Sequence, residues 1–367
     1  MKKEKKVSVV VPIFNMEKYL GACLDSLINQ TLSEIEIVCV NDGSTDKSLE
    51  IVKKYKKRDG RIKIVNQENG GLSSARNAGL KKVSAPYVMF CDPDDQFDLK
   101  MCEKMYSAIE DSGADLAICG IKMIYEAHQE MQISDENYYR LRFDGKKIIN
   151  DKVIMETNGS ACNKIFRMSI IKENDIDFPE GLTSEDHCFY CKYMSVSKTI
   201  YFLSQKLYHY VRREESIMSN NFDGNKLAVD DIKVAEKIFR FYKKNGFLDT
   251  HKNLFWTQWT GGFWASYRYS GKKYRKEVIA LGKDFINKNY EEYKPQDRRV
   301  QKIVEEVAKY NFLYRLKMFV RNAMKGCYLK INYAYKQQNF INMHLEGAYE
   351  RFRYISECLD SLTRGEK

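Results

Sequence analysis

Over the first 120 positions, short continuous apolar runs alternate with stretches of helical spacing. VSVVVPIF (7–14), IEIVCV (35–40), IKIV (62–65), YVMFC (87–91) and ADLAICG (114–120) are unbroken apolar runs of strand length. Such runs predict strands buried on both faces, as in a parallel sheet. Between them, Leu20, Cys23, Leu24, Leu27 and Ile28 recur at helical spacing, and so do Met101, Met105, Ala108 and Ile109. Asp42-Gly43-Ser44 ends the second run, a helix with a basic outer face is expected to follow to about Arg58, and a helix of small residues, SSARNAGLKK, after the Gly70-Gly71 turn, with Ser73 or Ser74 as its cap. Strands alternating with helices argue for a mostly parallel sheet covered on both faces.

From 121 to 217 the pattern mixes short strands (122–126, 138–143, 161–166, 199–203, 207–211) with short helices. Beyond about 222 the periodicity is helical. DDIKVAEKIFRFYKKNG (230–246) reads as an amphipathic helix ending at a glycine cap. An aromatic cluster follows at Phe255, Trp256, Trp259, Phe263 and Trp264. Three regions are expected: 1–120, 121–217 and a helical, basic 218–367.

Composition adds little until charge is mapped. The chain has 367 residues, 44% hydrophobic and 30% charged, so it is neither disordered nor fibrous. The net charge of +11 is unevenly spread: 221–367 carries 29 basic against 17 acidic residues, and 1–220 carries 32 against 33. The ten cysteines are scattered, several in apolar runs, and the opening MKKEKKVSVVVPIFN lacks a secretory cleavage pattern. Together these point to a reducing, cytoplasmic setting. Cys188 and Cys191 read as a core face, without a second pair to complete a zinc site.

Candidate chemistry collects where strands end, the place where open α/β sheets bind ligands. Pro12, Phe14, Asn15 and Glu17 lie at and just past the end of the first run; Asn41-Asp42-Gly43-Ser44 follows the second; Cys91-Asp92-Pro93-Asp94-Asp95 begins at the end of the fourth. Three carboxylates within four residues repel one another unless a cation screens them, and magnesium-type ions take one or two carboxylates plus substrate phosphates. The plainer alternative is an acidic turn with Asp95 or Asp98 capping the next helix. Arg76 is an unexpected cation at the start of a small-residue helix. Ser184-Glu185-Asp186 opens another helix, where Ser184 serves as cap or one acid serves as a general base.

In this order, VSVVVPIFN, NDGSTD, GGLSSARNAG, CDPDD and a Glu-Asp pair roughly ninety residues later resemble the family 2 glycosyltransferases over about residues 5–217. The resemblance implies the GT-A fold: a Rossmann-like, mostly parallel sheet flanked by helices. It implies an inverting transfer from a nucleotide sugar, most often a UDP-sugar, with Mn²⁺ or Mg²⁺. It assigns Pro12, Phe14, Asn15 and Glu17 to the base, Asp42 to uracil and ribose, Arg76 to the donor, and Asp92 to ribose or a metal-bound water. Asp94 is then the metal ligand and Asp186 the catalytic base. YHYVRREESIM (208–218) resembles a loop over diphosphate and acceptor, with Glu185, Arg212, Arg213 and Ser216 as contacts and His209 completing the metal shell. The acceptor is expected to be a saccharide or a lipid-linked sugar of a surface or cell-wall polysaccharide.

The segment 309–336 has no acidic residue and interleaves Lys and Arg with aromatic and aliphatic positions. It reads either as an interfacial helix docking on the inner face of the cell membrane, or as a face packed on the catalytic domain or in a homodimer. Two rival functions are a nucleotidyltransferase acting on a sugar phosphate and a basic nucleic-acid-binding protein. The first lacks the glycine-rich loop expected after strand one. The second lacks any recognised motif, so no nucleic acid is expected.

Overall fold

A computed structural model describes residues 4–126, 140–213 and 227–308. Among these, nine strands form one mixed sheet in the order β3-β2-β1-β4-β8-β6-β9-β5, with β7 also on β9. β1 (Val7–Ile13), β2 (Ile35–Asp42), β3 (Ile62–Gln67) and β4 (Tyr87–Phe90) are mutually parallel. β1 and β2 are buried along their whole length, which is why their sequences carry no alternation. The chain steps outward from β1 to β2 to β3, then returns to place β4 on the other side of β1. That reversal opens a crevice at the carboxyl ends of β1 and β4.

Pro12 shows how the strand ends there. Val10 accepts a hydrogen bond from the Cys91 amide at 3.0 Å. Two residues on, Pro12 faces the same side, past the last pair Val10–Phe90. Its missing N–H therefore costs no ladder bond.

Helices α1 (Leu20–Ile28), α2 (Ser48–Arg58), α3 (Leu72–Leu80) and α4 (Met101–Ser112) are the expected ones. The small residues of α3 let it lie against β1: a Cβ on Gly79 would come within 2.3 Å of Val10 Cγ1. Its cap differs from expectation. α3 begins at Leu72 with Gly71 before it at φ 84°, and neither serine caps it.

The expected strands 114–120 and 122–126 are one strand, β6 (Leu116–Tyr125), parallel to β9 (Thr199–Arg212), which likewise joins 199–203 and 207–211. The polar interruption that suggested two strands is an irregularity: the register shifts around Gly120, opposite Ser204 and Gln205. Residues 140–143 are not strand; the strand there is β7 (Gly145–Ile148), pairing with β9. The two-residue β5 (Gln96–Phe97) pairs with the far end of β9, and β8 (Lys164–Arg167) joins β4 to β6. Short helices α5 (Asp151–Glu156) and α6 (Met168–Glu173) flank β8, and α7 (Glu185–Val196) precedes β9.

The helical region comprises α8 (Leu227–Lys244), α9 (Phe247–Tyr269), α10 (Gly271–Asn289) and α11 (Arg298–Ala308). Gly246, at φ 69°, makes the predicted break after α8. Four of the five residues of the aromatic cluster are core, and Trp264 is half-buried: Trp259 stacks on Phe263 and Phe285, and Trp256 donates its indole N–H to the Tyr293 carbonyl at 2.8 Å. Among the described residues no helix is long and apolar enough to cross a membrane. The segment 309–336 and Ser216 lie outside the described residues.

Candidate active site

Three loops meet at the crevice. The first follows β1, where Asn15 adopts φ 52°. Its side-chain oxygen accepts from the Thr45 amide at 2.8 Å, and Glu17 Oε2 accepts from the Lys47 amide at 3.0 Å. Asn15 and Glu17 thus lace the loop after β1 to the loop after β2. Phe14 stands exposed beside them.

Asp42, at the end of β2, is buried. Its Oδ1 accepts from Gly70 N at 2.9 Å and Gln67 Nε2 at 2.7 Å, and Oδ2 accepts from Gly71 N at 2.8 Å. The carboxylate therefore fastens the Gly70-Gly71 turn that launches α3.

α3 carries Arg76 into the centre. The guanidinium is 1% exposed and is shared by three carboxylates. Nη1 donates to Glu185 Oε1 at 2.7 Å and Asp186 Oδ1 at 2.6 Å; Nη2 donates to Asp92 Oδ1 at 2.7 Å. Burial alone would discharge it, but Asp186, Asp92 and Glu185 together raise its pKa well above the ordinary value. Next along the helix, Asn77 exchanges hydrogen bonds with the Phe178 backbone at 2.9 Å and donates to Glu180 Oε1 at 3.2 Å. The dipeptide Arg76-Asn77 thereby ties α3 to a segment more than a hundred residues later.

Asp186 opens α7 and remains about a quarter exposed. Burial pushes its pKa up, Arg76 pulls it down, and the neighbouring carboxylates Glu185 and Asp92 push it up again, to about 6. Its second oxygen accepts from the Ala161 amide at 3.0 Å. Ser184, expected to cap this helix, does not. It sits at φ 60° and donates its hydroxyl to Asp231 Oδ1 on α8 at 2.6 Å.

The three aspartates after β4 have separate environments. Asp92 meets Arg76 and, at 3.4 Å, the Cys162 thiol. Asp94 pairs with Arg213 at 2.7 Å; burial first, then Asp92, hold its pKa above the usual carboxylate range. Asp95 neither caps a helix nor faces solvent. It is buried, accepting from the Tyr208 hydroxyl and from Val211 N at 2.8 Å, and so holds β9 to the turn. Asp98 receives the Lys100 amide at 3.0 Å.

Two of the predicted residues lie on β9 itself. His209 is paired on β9 between Tyr208 and Tyr210. Since alternate strand residues face opposite sides, and Tyr208 faces Asp95, the imidazole is directed away from the aspartates. Burial first and then Lys122 lower its pKa, with Asp98 opposing them. Arg212 ends β9 opposite Tyr125. Cys188 and Cys191 are buried free thiols, as read from the sequence.

Sequence reasoning missed Lys164, Cys162 and the Ala161 amide. A lysine inside NKIFR carries no periodic signal, and a backbone donor carries none in any sequence.

A family model described as glycosyl transferase family 2 matches residues 8–174. Putative glycosyltransferase EpsH of Bacillus subtilis is 31% identical over 259 residues, covering 67% of this chain and 72% of EpsH. Glycosyltransferase GlyA of Streptococcus pneumoniae is 36% identical over 223 residues, 58% of this chain; the match spans about a third (32%) of GlyA's length. Among solved structures, S. aureus TarS 1–349 in complex with UDP-GlcNAc superposes with a TM-score of 0.55 at 23% identity, covering 83% of this chain and 90% of that one, a likeness of fold.

Proposed function

Because the chain belongs to glycosyltransferase family 2 and carries its GT-A fold, we propose that it transfers a sugar, with inversion, from a nucleoside diphosphate sugar of the uridine type to a hydroxyl of a saccharide or lipid-linked sugar in surface polysaccharide synthesis. The observation that carries this reading is the state of Asp186. It is a partly exposed carboxylate with a pKa near 6, clamped by Arg76 and the Ala161 amide beside Asp92. A base tuned just below neutrality is ionised at working pH and still basic enough to take a proton.

In this mechanism Asp186 accepts the proton of the attacking hydroxyl on the face opposite the leaving group. Arg76 keeps the carboxylate charged and oriented, and Asp42 sets the Gly70-Gly71 turn beside the donor. Phe14, Asn15 and Glu17 line the base end. Glu185 shares Arg76 with Asp186, and Arg213 supplies positive charge beside the diphosphate.

Asp92 and Asp94 fit a hard divalent ion, Mg²⁺ or Mn²⁺. They are two carboxylates in one turn, and burial and mutual repulsion raise the pKa of Asp94, an excess of negative charge that a cation relieves. Magnesium-type ions commonly take one or two carboxylates and complete their shell with substrate phosphates. When bound, such an ion offsets the charge developing on that diphosphate. Asp94 with Asp92 would hold it.

Calorimetry with a panel of nucleotide sugars and Mn²⁺ tests the donor, and Asp186→Asn tests the base. The variant should bind the donor as the wild type does and lose transfer by about 10²–10⁴-fold. Full transfer by this variant refutes the assignment of the base; no heat with any donor refutes the proposed function.

A further inference from the structure

Lys164 lies in β8 and is fully buried. A buried ammonium is expensive unless its three donors are all used. Here they are: Nζ donates to Asn158 Oδ1 at 3.1 Å, the Ser160 carbonyl at 2.5 Å and Asn163 Oδ1 at 3.0 Å. All three acceptors are neutral oxygens, and all three belong to the segment 158–163. The same segment presents the Ala161 amide to Asp186 Oδ2 and the Cys162 thiol to Asp92 Oδ2. The ammonium also lies 5.2 Å from the ring centroid of Tyr190, one turn along the helix that Asp186 opens.

We infer that Lys164 is a positioning residue for Asp186: by gathering Asn158, Ser160 and Asn163 around its ammonium, it fixes the loop whose Ala161 N–H orients the Asp186 carboxylate. The inference rests on the transferase reading only for the consequence in catalysis; the positioning itself is a property of the free protein.

Two effects of Lys164 on Asp186 have the same sign. The ammonium's charge favours the ionised carboxylate, and the interaction is mutual: burial lowers the Lys164 pKa, to about 7, while Asp186 pulls it back up. The Ala161 hydrogen bond likewise favours the carboxylate. The other groups facing Asp186 are Arg76 on α3, Glu185 on α7, Asp92 after β4 and Cys162 on the loop. Arg76, Glu185 and Asp92 stand outside the loop that Lys164 gathers, while Cys162 moves with it.

The test uses the full chain and Lys164→Met, with two readouts that need no ligand. The first is the titration of Asp186 by carbon-13 signals of aspartate-labelled protein, assigned with Asp186→Asn. Its midpoint should rise by about half a pH unit or more in the variant. The second is hydrogen exchange of the Ala161 amide, which should quicken by about tenfold while amides of β1 keep their protection. Where the wild type transfers sugar from a panel of UDP-sugars, kcat of the variant should fall roughly tenfold or more with the donor KM held. The acid limb of kcat should move up with the titration. A wild type that transfers nothing defeats the transferase reading, yet both ligand-free readouts still judge the inference. An unmoved Asp186 midpoint overturns it, as does a loss of kcat with the acid limb in place, since a merely structural defect scales the profile without shifting it. If the Met variant does not fold, Lys164→Gln, which keeps a donor without the charge, carries the same outcomes.

Discussion

Replacing Arg76 with methionine should cost stability before it costs anything else. The guanidinium is 1% exposed and makes three charge-assisted hydrogen bonds, to Glu185, Asp186 and Asp92. At ~1.5–3 kcal/mol each these total on the order of 5–9 kcal/mol gross. The three carboxylates are 14%, 24% and 29% exposed, so water recovers part of the loss. Removing one side of such a cluster then costs about 3–5 kcal/mol net, against a typical total of roughly 5–15 kcal/mol. The sign of the pH dependence follows from what remains. Without Arg76, Asp186 keeps the burial and the carboxylate neighbours that raise its pKa and loses the cation that lowers it, so its folded pKa stands further above the unfolded one. A raised pKa contributes stability that is lost as pH rises, and the deficit relative to wild type should therefore be large at pH 8 and shrink towards pH 5. Urea denaturation of both proteins at the two pH values measures it. A pH 8 deficit below about 0.5 kcal/mol, within the range of an ordinary surface substitution, would refute the view of Arg76 as the hub of this site, and so would a deficit independent of pH.

Asp94→Ala should abolish metal-dependent donor binding in calorimetry while leaving the fold intact; retained manganese-dependent heat would move the metal assignment elsewhere. Glu36 is buried in β2 and accepts from Ser8, Ser84, Lys5 and Lys63, and against burial these partners hold its pKa below the usual range. Glu36→Gln should therefore destabilise by about 1–3 kcal/mol near neutrality. Because a depressed pKa contributes stability that fades as pH falls below the unfolded value near 4.3, that deficit should narrow in acid; a constant deficit between pH 7 and pH 3 would contradict the ionic account. The basic, aromatic composition of 309–336 predicts sedimentation with anionic vesicles at low salt, and no association under those conditions would remove the membrane from the picture.

The parallel half of the sheet is legible because burial on both faces leaves an unmistakable imprint: a strand such as VSVVVPI has no polar face to confuse it with a helix. Where burial becomes one-sided the imprint fades. β6 and β9 read as four strands because the polar stretch around Ser204 and Gln205 falls at an irregular register, and β7, with Lys146 and Lys147 exposed, carries almost no apolar signal.

The site divides along a similar line. Residues on the loops after β1, β2 and β4 could be found because strand ends mark them and short-range spacing links them. Contacts made across the fold could not. Nothing in the string ties Arg76 to Asp186 at a separation of 110 residues, or Asp95 to Tyr208 at 113. Local rules even misdirect here. A serine before two acids is the ordinary signature of a helix cap, yet Ser184 spends its hydroxyl on Asp231. That leaves the first turn of α7 free to present both acids to Arg76 from one helix end. The pKa of Asp186 is thus set by burial first, and then by partners drawn from α3, from Glu185 beside it, from the turn after β4 and from the loop before β8. Changing any of these should retune the base without touching it.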